Sequence, residues 1–317
     1  MDQRLEPRAA GHTTDVWVQP NAVTNAALPL TLAAHAKLNL RLEVGPLAGG
    51  LHTVISALAA LDLADSVRFE WSPHGFRVAC DLVDVAEKDN TAWRAAQALD
   101  VRLPSVRVGI HKRIPAQAGL GGGSSDAAAA LQGLAAILAS DGIVLEPERI
   151  AAAALHAGSD VPSFFTVGTR VIAGVGDVVT AHPCKAPAWG IVLLRPAVAS
   201  STAEAYALLD QARVPHELGR RANADANAIC DAFCHGDFEL TAALLHNDFT
   251  PVIEAALPAV AQAHERLRRV GARATILCGS GSCVAGFFAD IIAAQAAIGR
   301  ISLDHGEWIR ATTFARD

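Results

Sequence analysis

Apolar and polar residues alternate from Leu28 to Val44, most cleanly in the run from Lys37 to Val44. That period of two predicts a strand with Lys37, Asn39 and Arg41 on one face. Three long polar side chains along an otherwise apolar strand mark a candidate functional surface. Val54–Leu63, Ser66–Trp71 and Phe76–Cys80 read as further strands, separated by Asp62, Asp65, Pro73 and Gly75. A helix is predicted at Asn90–Leu99 and a strand at Val106–Ile110. The second half predicts a strand at Ile191–Arg195, a helix from Thr202, and two or three helices between Asp225 and Val270. Strands at Ala274–Cys278 and Cys283–Phe288, a helix at Asp290–Arg300 and a strand around Trp308–Thr312 complete the pattern. Without a regular βαβ repeat, this favours two α+β sandwiches over a doubly wound parallel sheet.

Composition narrows the function. The 317 residues are 51% hydrophobic, enough for two ordinary domains. Lys and Arg total 26 against 32 for Asp and Glu, a formal charge of −6, so nothing points to nucleic acid. A phosphorylated ligand must therefore be held by local geometry rather than by net charge. Residues 1–27 show no period and read as an extension without the apolar core of a secretory signal. The uncharged run Val16–Ala36 holds Gln19, Asn21, Asn25 and His35, which suit no membrane span. A cytoplasmic protein with no membrane partner is expected, and no oligomeric state can be read. Cys80, Cys184, Cys230, Cys234, Cys278 and Cys283 show no CxxC spacing and read as structural thiols rather than metal ligands or disulfides.

The densest chemistry lies in Gly119-Leu-Gly-Gly-Gly-Ser-Ser125, which precedes an Ala-rich run of high helix propensity. Glycines let backbone amides approach a phosphate, and the first helical turn adds unpaired N–H groups and the positive dipole end. Ser124 and Ser125 can cap the helix or contact a phosphate or its Mg²⁺. No Gly-Lys-Ser/Thr follows, and Ser124 occupies the third glycine's place in Gly-x-Gly-x-x-Gly, so P-loop NTPases and Rossmann dehydrogenases are disfavoured.

With Pro115 four residues upstream, this loop resembles the ATP loop of the GHMP kinases. Ala36-Lys-Leu-Asn-Leu40, Gly158-Ser-Asp-Val-Pro162 and Gly279-Ser-Gly-Ser-Cys283 narrow the likeness. Their order and spacing resemble the 4-diphosphocytidyl-2-C-methyl-D-erythritol kinases of the non-mevalonate isoprenoid route, from about Leu32 onward. The resemblance implies a two-domain α+β GHMP kinase fold, with a ribosomal S5 domain 2-like part at 28–185 that binds ATP and a ferredoxin-like part at 186–317. It implies a small-molecule acceptor carrying cytidine diphosphate, with ATP and Mg²⁺ as cofactors and metal ligands unspecified.

Residue by residue, the resemblance makes Asp160 the base for the acceptor hydroxyl and Lys37 the charge stabiliser beside it. It assigns ATP to Pro115, Gly119, Leu120, Gly121, Gly122, Gly123, Ser124, Ser125, Asn90 and Lys112, and the acceptor to Asn39, His52 and Thr202. Plainer readings stand beside these: Asp160 as a turn cap, Lys37 as a solvated strand lysine, Asn90 and Thr202 as helix N-caps, Lys112 as a surface lysine. The chain also departs from the family pattern. Leu51 replaces the tyrosine of Gly-Tyr-His, GPLAGG is short and lacks an Arg-Asp pair, His35 replaces a proline, and Asp126 stands where many relatives have Asn. Leu51 removes an aromatic stacking platform for cytosine. That keeps open a kinase for another small alcohol, or a nucleotide-binding regulator without catalysis.

Overall fold

The computed structural model describes residues 27–81, 85–166, 168–212 and 220–316; apart from residue 27, the expected extension lies outside them. In chain order the first half forms β1 (Leu30–Ala48), β2 (Leu51–Trp71), β3 (Arg77–Cys80), α1 (Thr91–Ala98), β4 (Val106–His111), α2 (Gly122–Ser140), α3 (Pro147–Ala157), β5 (Thr169–Ala173) and β6 (Val178–His182). The second half forms β7 (Gly190–Arg195), α4 (Thr202–Ala212), α5 (Arg220–Cys234), α6 (Phe238–Leu244), β8 (His246–Asn247), α7 (Thr250–Ala256), α8 (Pro258–Arg269), β9 (Ala274–Leu277), β10 (Val284–Phe288), α9 (Ile291–Ile298) and β11 (Trp308–Thr313).

Two predicted strands are one. Asp62 and Asp65 do not interrupt β2, because the Asp65 carboxylate is buried and accepts the Arg113 and Ile114 amides instead of turning the chain. Where two or three helices were expected there are four, α5 to α8. Gly236 and Asp237 separate the first pair, with Asp237 capping α6 at Leu240, and Pro258 starts α8 directly after Leu257. The unpredicted β5 and β6 are five residues each, and the Ala-rich text of α3 gives little contrast between its buried and exposed faces.

The first sheet runs β3-β4-β2-β1-β8, with β5 and β6 branching from β2. The second runs β11-β7-β10-β9, all neighbours antiparallel, which is the 4-1-3-2 order of a ferredoxin-like sheet. One face of the first sheet packs Val67, Phe69 and Val108 against α1, α2 and α3. Its other face sets Leu38, Leu40 and Leu61 against β7, β10 and α5. Leu38 and Leu40 are fully buried, and each contributes about 2 kcal/mol by leaving water.

A register shift between Asn39 and Arg41 corrects the strand reading. The bulge turns Arg41 away from Lys37 and Asn39, toward Asp225 of α5 and the Leu244 carbonyl, 3.0 Å from each. Leu42 takes the place Arg41 was expected to hold beside Lys37 and Asn39. The thiol expectation is corrected as well. Cys184, after β6, and Cys234, at the end of α5, form a disulfide with Cα atoms 5.5 Å apart. They are 50 residues apart in sequence, so spacing could not reveal the pair. Cys230, Cys278 and Cys283 remain thiols.

Candidate active site

The glycine run connects β4 to α2. Gly121 caps the helix in the left-handed region (φ 73°) with no side-chain cap, and the Ser125 amide closes the first turn on the Gly121 carbonyl at 2.9 Å. The amides from Gly122 to Ser124 precede that bond and have no intrahelical acceptor. With the helix dipole they form an anion cradle. The two serines divide: Ser124 lines the cavity in front of the cradle, whereas Ser125 is buried and donates to the Gly122 carbonyl at 2.9 Å. Ser125 Oγ thus bonds within its own helix and does not line the cavity.

That cavity, about 1160 Å³, gathers the separate sequence motifs. Lys37 and Asn39 come from β1, Asn90 from the start of α1, Lys112 and Pro115 from the segment after β4, and Asp160 from the turn before a 3₁₀ segment (Val161–Phe165). His52, Thr202 and Gly279 to Gly281 complete the wall, with Gly119 to Gly123 at the loop. The Lys37 amide donates to the Leu120 carbonyl at 3.0 Å, pinning β1 to the loop. Its buried ammonium donates to Asn39 Oδ1, and Asn39 Nδ2 donates to Ser56 Oγ at 2.8 Å. Lys37 is therefore no solvated lysine. Burial lowers its pKa, Arg170 adds to that, and Asp160 and Cys278 oppose it. The Asp160 side chain makes no cap hydrogen bond, so its exposed carboxylate is free to face the cavity.

The third motif closes on the first. Gly119 (φ +70°) packs so tightly on the turn after β9 that a Cβ there would lie 1.7 Å from the Cys278 carbonyl oxygen. At Gly121 a Cβ would meet Phe164 Cζ at 2.6 Å and Lys37 Cγ at 3.1 Å. Ser280 of the third motif bonds Thr202 Oγ1 at 3.2 Å. Asn247 Nδ2 holds the Leu277 and Gly279 carbonyls at 2.9 and 2.8 Å.

Asn90 lies at the cavity edge and also caps α1, accepting from the Ala92 amide at 2.9 Å. Lys112 is buried rather than a surface lysine, its ammonium shared between Asp65 and Asp126. Burial lowers its pKa, but the two carboxylates outweigh that and hold it above the usual value. Asp126 moves up, chiefly by burial, with Lys112 opposing and Asp65 reinforcing; its Oδ1 has no partner. Asp65 and Tyr206 are site residues that the sequence analysis missed. Asp65 stands in phase with the buried Leu63 and Val67 of β2, where an acidic residue reads as a strand break, and Tyr206 gives no local pattern beyond standing one helical turn after Thr202.

At the other end of the cavity the His52 and Tyr206 rings stack, with centroids 4.8 Å apart and an interplanar angle of 12°. His52 Nδ1 lies 2.9 Å from the Gly45 carbonyl and Nε2 lies 3.2 Å from Asp210. Leu51 is 55% exposed on the same wall. An aromatic surface is thus present although Leu51 is not one.

The GHMP kinases N terminal domain family matches residues 90–168, and the GHMP kinases C terminal family matches residues 229–304. A 4-diphosphocytidyl-2-C-methyl-D-erythritol kinase of Geobacter sp. (strain M21) is 36% identical over 290 residues, covering 89% of this chain and 97% of that one. The chain belongs to the 4-diphosphocytidyl-2-C-methyl-D-erythritol kinase family. Another member, from Moorella thermoacetica, is 34% identical over 90% of this chain and 99% of its own. A crystal structure of 4-(cytidine 5'-diphospho)-2C-methyl-D-erythritol kinase superposes with a TM-score of 0.70 at 27% identity, covering 90% of this chain and 99% of that one. The L. major mevalonate kinase shares the fold, with a TM-score of 0.64 at 14% identity over 91% of this chain and 97% of its own. Membership thus extends well beyond the motifs, across both halves. Among the described residues, no helix is long and apolar enough to cross a membrane, and no cluster of three His, Cys, Asp or Glu side chains suits a metal.

Proposed function

We propose that the protein transfers the γ-phosphoryl group of ATP to the 2-hydroxyl of 4-diphosphocytidyl-2-C-methyl-D-erythritol. The observation that carries this reading is the placement of Lys37 and Asp160 in one cavity with the open amides of α2. ATP lays its phosphates along Gly122 to Ser124, with its nucleoside toward Asn90 and Lys112. Asp160 takes the proton of the acceptor hydroxyl as the new O–P bond forms and the bond to the β-phosphate oxygen breaks. The Lys37 ammonium stabilises charge on the transferring oxygens. His52, Tyr206, Thr202 and Asn39 hold the cytidine-diphosphate acceptor, the stacked ring pair offering the face that Leu51 lacks.

Mg²⁺, when bound with ATP, would supply charge neutralisation for the phosphates. The Ser124 hydroxyl on the cavity wall suits it, because Mg²⁺ keeps phosphate and water ligands and needs few from protein. Asp126 Oδ1 is shut away beside the Lys112 ammonium and does not suit it. On this reading residues 28–185 form the ATP-binding domain and 186–317 the C-terminal domain. ATP as the donor supports a cytoplasmic reaction.

The purified protein with Mg-ATP and the cytidylated alcohol, followed by ³¹P NMR, tests the proposal. A new phosphomonoester on the acceptor is expected. ATP binding without transfer to that acceptor would overturn it.

A further inference from the structure

β5 sets a positive charge behind the reacting centre that none of the loop motifs announces. Arg170 is 1% exposed and heads the fully buried side chains by size. Nη1 donates to the Gly168 carbonyl at 3.0 Å, Nε is buried without a partner, and among the described residues the guanidinium forms no direct ion pair. A buried guanidinium is strongly disfavoured unless an opposite charge compensates it. The carboxylate whose field reaches Arg170 is Asp160. The guanidinium also lies over the Phe164 ring, 5.4 Å from its centroid, and the tip of that ring abuts Gly121, the N-cap of α2. Arg170 is not part of the cavity wall, so it acts through its neighbours.

We infer that Arg170 is a positioning residue for phosphoryl transfer, a fixed charge that holds Asp160 from behind and braces the phosphate loop through Phe164. The inference rests on the proposed kinase reaction and deepens it. Lys37 and Arg170 set two cations against the one carboxylate of Asp160, so the centre carries surplus positive charge that the incoming phosphoryl group neutralises. Lys37 is faced by Asp160 from the turn before the 3₁₀ segment, by Cys278 at the end of β9 and by Arg170 from β5. As the like charge in that set, Arg170 makes the Lys37 ammonium the stronger acid. Removing it should make Lys37 hold its proton to higher pH.

The test compares wild type with Arg170→Met, Arg170→Gln and Arg170→Lys, measuring kcat and KM across pH together with the melting temperature. The neutral variants are expected to lose about tenfold or more in kcat, with KM for ATP and acceptor within about threefold, because the group acts on the transferring atoms through Asp160 and Lys37. Their alkaline limb of kcat should move up by about half a unit or more, and Arg170→Lys should restore it. A purely structural role would lower the melting temperature and leave the limb in place. An unchanged kcat, an unmoved limb, or failure of both neutral variants to fold overturns the inference. A wild type that transfers to no acceptor would sink the proposed reaction instead, which separates the two failures.

Discussion

Gly119 and Cys278, 159 residues apart in the chain, meet backbone to backbone where the phosphate loop touches the third motif. The clash facing a Cβ at Gly119 is with a carbonyl, so no side-chain rotation relieves it, and the positive φ adds strain. Gly119→Ala should therefore destabilise the protein by about 2 kcal/mol or more and cut kcat. Gly123→Ala is the control: its nearest contact is Thr91 Oγ1 at 3.5 Å, and it should melt near wild type. Equal melting temperatures for the two variants would refute the close-contact argument.

Asp160→Asn and Lys37→Ala should each lower kcat by about 10²–10⁴-fold. The asparagine preserves shape but cannot take a proton. The alanine also leaves Asn39 Oδ1 without its donor, so its melting temperature should be checked alongside. Near-normal turnover in either folded variant would remove the role proposed for that residue.

The Asp126 carboxyl, raised from 3.8 to about 7 by burial against the pull of Lys112, gives stability a pH dependence. Between those values the folded chain keeps a proton that the unfolded chain has released, so stability falls as pH rises through the window. Asn cannot titrate and leaves the Lys112–Asp65 pair in place. Asp126→Asn should therefore melt higher than wild type at pH 8, by about 2–4 °C for each kcal/mol recovered, with the gap closing toward pH 4. A gap of constant size across pH would rule out titration of Asp126 as the cause.

Local patterns exposed the parts of the site that depend on local rules. The period of two gave β1, the glycines followed by alanines gave the loop and α2, and Asn90 stands at the α1 boundary. Legibility ended where tertiary contacts decide. One bulge after Asn39 sent Arg41 to the opposite face, which no alternation can foresee. Ser124 and Ser125 look equivalent in sequence, yet helix phase buries one and presents the other. Asp65, Tyr206 and Arg170 reach the centre from elements whose local text describes only a strand or a helix.

Leu51→Tyr tests how the acceptor is recognised. Leu51 is exposed on the wall that also carries the His52–Tyr206 stack, so a ring there adds a second aromatic face. Stacking of a base is worth about 1–3 kcal/mol, so KM for the cytidylated acceptor should fall severalfold or more with KM for ATP unchanged. An unchanged acceptor KM would show that Tyr206 and His52 already supply all the stacking the base uses.

Asn247 ties three distant segments at one point. Its residue pairs with Leu42 in β1, its amide holds the Leu277 and Gly279 carbonyls, and its Oδ1 accepts the Phe249 amide at 2.9 Å. The strand bearing the lysine and the turn bearing the third glycine motif are consequently clamped as one jaw, with little freedom to swing apart. The Lys37 strand and the Gly279 turn therefore keep a fixed spacing whatever occupies the cavity between them.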